Sequence, residues 1–379
     1  MNSNDIKVTV IMPIYNAYDY LRPAMDSVID QTLREIEIIC IDDGSTDHSL
    51  DIIKEYQKLD ERIRIVTENN AGPGAARNKG IMRARGEYII FLDADDFYEP
   101  VLLERLYESA KRDNLDIAVV GFDLYNNRHA RFEPSADEEH GNIYSGGAVV
   151  SKNEFPDNIL QSTTGYVWNK LFRTSFIREK ELTFAPEIYV FEDVYFVCIA
   201  LSLAERVARI YETLIHHRVY SDQSRSKLFR KYYNQVPAVY LRVKDFLMQH
   251  GMYVPLMRSF LNFSASRCYK IYNLLWHDAK ADFWNMLHRG YADSLGWYKH
   301  EASDFENSDV HEFVVSIGLY TYEQYTKRVD KGRRTKHEDV SVTLLNKKIN
   351  NAIKKENVRT RLKAFFEKFS RKSKKKDEN

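Results

Sequence analysis

Cysteine is scarce in this chain, and what there is lies far apart. Cys40, Cys198 and Cys268 are the three in 379 residues. An odd number in apolar surroundings excludes a disulfide framework and zinc-ligand spacing, and suits free thiols in a reducing compartment. Net charge is lacking as well, with 55 Lys/Arg against 55 Asp/Glu. The balance hides a split: residues 341–379 hold 13 Lys/Arg against 4 Asp/Glu, so they carry +9 and the first 340 residues carry −9. A negative main body argues against nucleic acid as a partner. The opening MNSNDIKVTV has no basic stretch leading into a long apolar core, so no secretory signal is read there. The longest apolar run, 194–204, is too short to span a bilayer. No internal repeat is present. The expectation is a cytoplasmic protein.

What is present is a strict alternation. Strand patterns at Val8–Ile14, Ile36–Ile41, Ile63–Thr67, Tyr88–Leu92 and Ile117–Val120 are separated by helical ones near Tyr20–Gln31, Ser49–Leu59, Ala75–Ala84 and Val101–Lys111. Leu50, Ile53, Tyr56 and Leu59 recur at helical spacing in the second helix. Such alternation predicts an α/β fold with a mixed, mostly parallel sheet flanked by helices. Ligands of these sheets bind beyond the carboxyl ends of the strands, where PIYN (13–16), DDGSTD (42–47), NNAGPGAARNKG (69–80) and DADD (93–96) fall. From 122 to 165 the pattern weakens into a polar, loop-like stretch. Aromatic residues at helical spacing from 228 to about 325 predict a helical extension, and the segment after 335 reads as a basic amphipathic helix.

Each motif has a plain reading beside a functional one. In DDGSTD, Ser45 or Asp47 suits a helix cap; alternatively Asp42, fixed at a strand end, accepts a hydrogen bond from a nucleobase N–H. NNAGPGAARNKG contains neither the GxGxxG of dinucleotide folds nor the GK[ST] ending of a phosphate loop. It reads as a tightly packed helix start, or as a place where Arg77 and Asn78 face an anion near the helix N-terminus. DADD follows an apolar run that is buried on both faces, so three carboxylates repel one another there unless a cation offsets them. A hard divalent ion takes one or two such carboxylates and completes its shell with phosphate and water oxygens.

VTVIMPIYN, IEIICIDDGSTD, NNAGPGAARNKG and GEYIIFLDADD, in this order, resemble family 2 glycosyltransferases of the GT-A (Rossmann-like) fold. The later YVWNKLF, FEDVYF and HHRVYSDQSRS are similar to the acceptor-side and base-bearing segments of that family, so the resemblance covers roughly residues 6–227. It implies that Pro13 and Tyr15 line the base pocket, that Asp42 reads the base, and that Asn70 and Arg77 flank the nucleotide. Asp93 approaches the ribose or a metal-bound water, and Asp95 ligates the metal. Asp96 is left to orient its neighbours or to cap the next helix. Asp193, with Glu192 beside it, resembles the general base of inverting transfer, against a plain reading as a helix cap. Arg218, Ser224 and Ser226 match a loop over the diphosphate. His216 or His217 either completes the metal shell or forms a structural pair. Trp168, Asn169 and Lys170 fall in the acceptor wall, with Trp168 stacked on a sugar or buried. Phe191 departs from the small residue common before the acidic pair.

The expectation is therefore an inverting, hexosyltransferase-type enzyme using Mn²⁺ or Mg²⁺. It would move a sugar from a nucleotide donor, a UDP-sugar, to a growing surface glycan or lipid-linked acceptor. The expected domains are a GT-A catalytic domain over 1–227 (a nucleotide-binding half over 1–98 and an acceptor half over 99–227), a helical appendage over 228–335 and a basic tail over 336–379. Segment 341–376 would touch the inner face of the cell membrane. Two rivals stand beside this reading. A nucleotidyltransferase needs a Gly-rich basic loop after the first strand, where this chain has PIYNAYDY. A non-catalytic sugar-nucleotide or glycan-binding module would be favoured by loss of Asp95 or Asp193, and both are present.

Overall fold

The computed structural model describes residues 6–135, 144, 147–219 and 232–330. Strand and helix alternate from the start: β1 (Val8–Ile14), α1 (Tyr18–Ile29), β2 (Ile36–Asp42), α2 (Ser49–Leu59), β3 (Ile63–Thr67), α3 (Pro73–Arg83) and β4 (Tyr88–Phe91). β1 and β2 are buried almost throughout, as unbroken apolar runs require when helices cover both faces. β2 pairs in parallel with β1 and β3, and β1 pairs in parallel with β4. α3 lies so close to β1 that a Cβ added at Gly80 would fall 2.4 Å from Ile11 Cγ2.

The chain continues through β5 (Phe97–Tyr98), α4 (Leu102–Arg112), β6 (Ile117–Asn126), β7 (Arg131–Pro134), β8 (Lys170–Arg173), α5 (Thr174–Glu179), α6 (Glu192–Leu203) and β9 (Val207–Val219). These complete a nine-stranded sheet ordered β3-β2-β1-β4-β8-β6-β9-β5, with β7 paired to β6. β8 runs antiparallel to β4 and β6, whereas the long β6–β9 ladder is parallel. The expected mixed, mostly parallel α/β sheet is therefore present.

One boundary differs from expectation. β6 continues to Asn126 and turns into β7, where the sequence suggests loop. The polar residues there gain their ladder from β9, which is remote in sequence, so no local pattern announces them.

Contacts divide the chain into two compact units, 1–228 with 250–256, and 229–249 with 257–379. The described part of the second is helical: α7 (Val236–Gln249), α8 (Met257–Leu274), α9 (His277–Met286), α10 (Ala292–Leu295), α11 (Ser308–Leu319) and α12 (Tyr322–Asp330). Its core is built on Trp284 and Trp297, whose indole N–H groups donate to Tyr320 O (3.0 Å) and Ser264 Oγ (2.9 Å). Asn307 caps α11 by accepting from Asp309 N and Val310 N. No helix among the described residues is long and apolar enough to cross a membrane. The basic tail expected after 335 lies outside the described residues.

Candidate active site

The carboxyl ends of β1 and β2 bring Pro13, Tyr15 and Asp42 onto neighbouring strand ends, with Ile14 in register with Asp42. Tyr15 is half exposed, while Asp42 is buried and its Oδ1 accepts Ser45 N at 3.3 Å. Asp43 holds the next loop, its two oxygens accepting Ala71 N (2.8 Å) and Gly72 N (2.9 Å). Sequence reading passed over Asp43, although the paired acids offered a signal: successive strand-end residues point opposite ways. Gly44 has φ +73°, and a Cβ there would lie 3.0 Å from Asn70 N, so glycine lets the two turns close beside the exposed Asn70.

The cap expectation holds for Asp47, whose Oδ1 accepts Ser49 N at the start of α2 (2.9 Å), but not for Ser45. The same loop also serves α1: Ser45 Oγ, Ser49 Oγ and Asp47 Oδ2 accept the N–H groups of Asn16, Ala17 and Tyr18.

At the end of β4 the carboxylate oxygens of Asp93, Asp95 and Asp96 lie within 4.8 Å of one another. Each acid has a different fate. Asp93 accepts from Arg77 Nη2 at 2.9 Å. Asp96 is fully buried and accepts from His217 Nδ1 (3.0 Å) and Arg218 N (2.8 Å), so it ties β9 to this turn and does not cap α4. The Asp95 carboxylate, partly exposed, accepts no hydrogen bond from another described side chain. Burial and then repulsion from Asp96 and Asp93 push Asp95 up to about 7, against an opposing pull from His217. Burial disfavours the charged form of His217, but Asp96, Asp95 and Asp93 outweigh it and raise the imidazole to about 9.

On the other side of Arg77, α6 begins with Glu192 and Asp193. Phe191 precedes them at φ +70°, a left-handed conformation that explains why a small residue suits this place. Glu192 is buried and accepts from Arg77 Nη1 at 2.9 Å. Asp193 Oδ1 accepts Val194 N of its own turn. Burial, reinforced by Glu192 and Asp93 and opposed by Arg77, raises Asp193 to about 7. Arg77 therefore faces carboxylates of the protein itself, not open solvent, and Asn78 faces backbone. Its amide exchanges two 2.8 Å bonds with the backbone of Phe184.

The strand period separates the histidines. His216 bonds Asp123 (2.7 Å) and Glu99 (3.0 Å), while His217 turns to the acid cluster. Arg218, expected over the diphosphate, is instead buried. Its guanidinium bonds Asp95 O and Asn127 Oδ1 and lies 4.9–5.3 Å from the ring centres of Tyr20, Tyr125 and Phe97. Ser224 and Ser226 lie outside the described residues. Trp168 is buried, near-parallel to Tyr166 and His217. Lys170 is fully buried too, donating to Thr164 O, Tyr166 O and Asn169 Oδ1, so its ammonium holds a turn and presents nothing to an acceptor.

Glycosyl transferase family 2 is the family whose profile matches this chain, over residues 9–169. EpsH of Bacillus subtilis (strain 168), which carries a glycosyltransferase name, is 32% identical over 247 residues, 64% of this chain and 70% of that protein. The poly(ribitol-phosphate) beta-glucosyltransferase of Bacillus spizizenii is 29% identical over 265 residues, 68% of this chain. The chain spans 40% of that relative's length. Among solved structures, S. aureus TarS 1–349 in complex with UDP-GlcNAc superimposes with a TM-score of 0.67 at 20% identity, covering 87% of this chain and 93% of that one. That likeness is one of fold.

Proposed function

The chain belongs to glycosyl transferase family 2, and on that premise we propose that it transfers a sugar, with inversion, from a UDP-sugar to a hydroxyl of a surface glycan or lipid-linked acceptor. Family membership makes it a glycosyltransferase and leaves the nucleotidyltransferase and binding-module readings without support. The donor reading is supported by TarS, which shares the fold and was solved with UDP-GlcNAc. The acceptor reading is supported by a relative named for glucosyl transfer to poly(ribitol phosphate).

The observation that carries the reading is the uncommitted Asp95 carboxylate inside a three-acid cluster at the end of β4. The set fits a hard divalent ion, Mn²⁺ or Mg²⁺, with Asp95 as ligand and Asp93 beside it. When bound, such an ion acts as a Lewis acid on the leaving diphosphate.

The chain's own residues divide the remaining work. Tyr15, Pro13 and Asn70 bound the nucleobase, and Asp42 accepts its N–H. Asp193 takes the proton of the attacking hydroxyl. Its carboxyl, raised to about 7, is matched to proton transfer near neutral pH. Displacement in one step needs no covalent intermediate.

A panel of nucleotide sugars tests this, read as hydrolysis and thermal stabilisation with Mn²⁺ and with chelator. Absence of any metal-dependent response to a UDP-sugar would sink the donor assignment. We propose further that 1–227 form the catalytic domain, with halves 1–98 and 99–227. The helical 228–335 then leads to a basic 336–379 tail, whose 341–376 segment holds the enzyme on the inner membrane face. Flotation with anionic liposomes, full chain against 1–335, checks this; equal behaviour would refute it.

A further inference from the structure

Arg77 is set within the first turns of α3, yet its side chain leaves the helix surface for the interior. It is 4% exposed, so no nucleotide in open solvent can reach its N–H groups without displacing protein. Nη2 donates to Asp93 and Nη1 to Glu192, each at 2.9 Å, and the guanidinium lies 5.4 Å from the centre of the Phe184 ring. The remaining Nε is buried without a partner among the described residues. A guanidinium is a rigid planar fork, so its two arms fix the separation of the two carboxylates they hold.

Those carboxylates belong to different parts of the site. Asp93 closes β4 and leads directly into Asp95. Glu192 opens α6 and precedes Asp193. The rest of α3 supports the same bridge. A Cβ on Gly74 would lie 3.3 Å from Glu192 Cγ and from Phe184 Cβ, so glycine brings α3 against the first turn of α6. Asn78 then bonds both backbone atoms of Phe184. A single helix thus meets the first residue of α6 twice, through Arg77 and Gly74, and through Asn78 holds Phe184, whose ring stacks on Phe196 of α6.

We infer that Arg77 is a positioning residue, a strut that fixes Asp193 relative to the donor-anchoring end of β4, and not a ligand of the nucleotide. The inference rests on the reading of Asp193 as base and Asp95 as anchor. Its consequence is a separation of effects. A lysine at 77 keeps the charge but offers a point donor that cannot hold both carboxylates in fixed geometry. Misplacement of a catalytic group by about 1 Å costs on the order of 10²-fold in rate.

The test compares wild type, Arg77→Lys, Glu192→Gln and Asp193→Asn in the full chain. UDP binding with Mn²⁺ is measured by calorimetry, and turnover with whichever UDP-sugar the wild type hydrolyses. Arg77→Lys is expected to lower kcat about 10–100-fold while the UDP dissociation constant stays within about threefold. Glu192→Gln releases the same strut from its other end and should give the same pattern, with the double variant no slower than the worse single one. It also carries the test if Arg77→Lys does not fold. A weaker UDP affinity beyond that limit, or an unchanged kcat, overturns the strut. Full activity in Asp193→Asn would instead reject the base assignment on which it rests, so the two failures are told apart.

Discussion

His217 Nδ1 lies 3.0 Å from both carboxylate oxygens of Asp96, and the imidazole is stacked on Trp168 with ring centres 5.1 Å apart. The pair fastens the late strand β9 to the turn after β4. It does so with a charged donor, because the surrounding acids hold the imidazole up at about 9 despite its partial burial.

A pH-dependent stability follows. The folded state binds the His217 proton more tightly than the unfolded chain does, so the contribution is complete below about pH 6.5 and is lost as pH rises through about 9. In metal-free buffer, His217→Gln should therefore be clearly less stable than wild type at pH 6, with the gap narrowing by pH 9.5. Urea midpoints at the two pH values measure it, and a gap independent of pH would reject the ion pair.

Asp95 and Asp96 should fail differently. Asp95→Asn is expected to abolish the Mn²⁺-dependent part of UDP stabilisation while leaving the apo protein folded. Asp96→Asn takes a buried carboxylate away from the partly exposed His217 and from Arg218 N, and should cost about 1–3 kcal/mol of stability. Thermal shift with and without Mn²⁺ and UDP separates the two; equal loss of ligand response in two equally stable variants would contradict the division.

Asp193→Asn should reduce kcat by about 10²–10⁴-fold with UDP binding intact. In the wild type, kcat/KM should rise with pH through about 7, as the raised carboxyl ionises. The same shift acts on stability with the opposite sense. A carboxyl raised above its usual range destabilises the fold as pH climbs from about 4 to 7. The Asn variant is therefore expected to melt higher than wild type above pH 7, a trade of stability for activity.

Lys170→Met removes an ammonium bonded to Thr164 O, Tyr166 O and Asn169 Oδ1. Three acceptors, two of them buried, lose a charged donor, and a destabilisation of about 3 kcal/mol is expected. Urea unfolding reads it. A variant of wild-type stability with altered acceptor kinetics would restore Lys170 to the acceptor wall.

Gly80→Ala tests how α3 meets the sheet. The added methyl would overlap Ile11, which is fully buried, and should cost about 1–3 kcal/mol. Denaturant midpoints measure the loss.

The strands that carry the site were legible because VTVIMPI, IEIICID and YIIF are unbroken apolar runs, and a parallel sheet covered on both faces demands such runs. The acids of DADD stood out for a local reason too: like charges crowded after a buried strand need an explanation. The two histidines could also have been parted by strand period alone. What remained hidden depends on contacts between residues remote in sequence. β6 runs past its apolar stretch because β9 supplies hydrogen bonds. α1 takes its caps from the β2–α2 loop.

The sequence by itself determined the alternating fold and the strand ends at which polar chemistry gathers, since periodicity and burial are properties of neighbours along the chain. Only the tertiary structure decided which charged side chains are committed. Arg77, Lys170 and Arg218 looked like ligand contacts and are paired with groups of the protein itself, while the Asp95 carboxylate accepts from no other described side chain. The reason is physical: a buried charge persists only where distant groups converge to pair it, and no stretch of sequence contains that convergence.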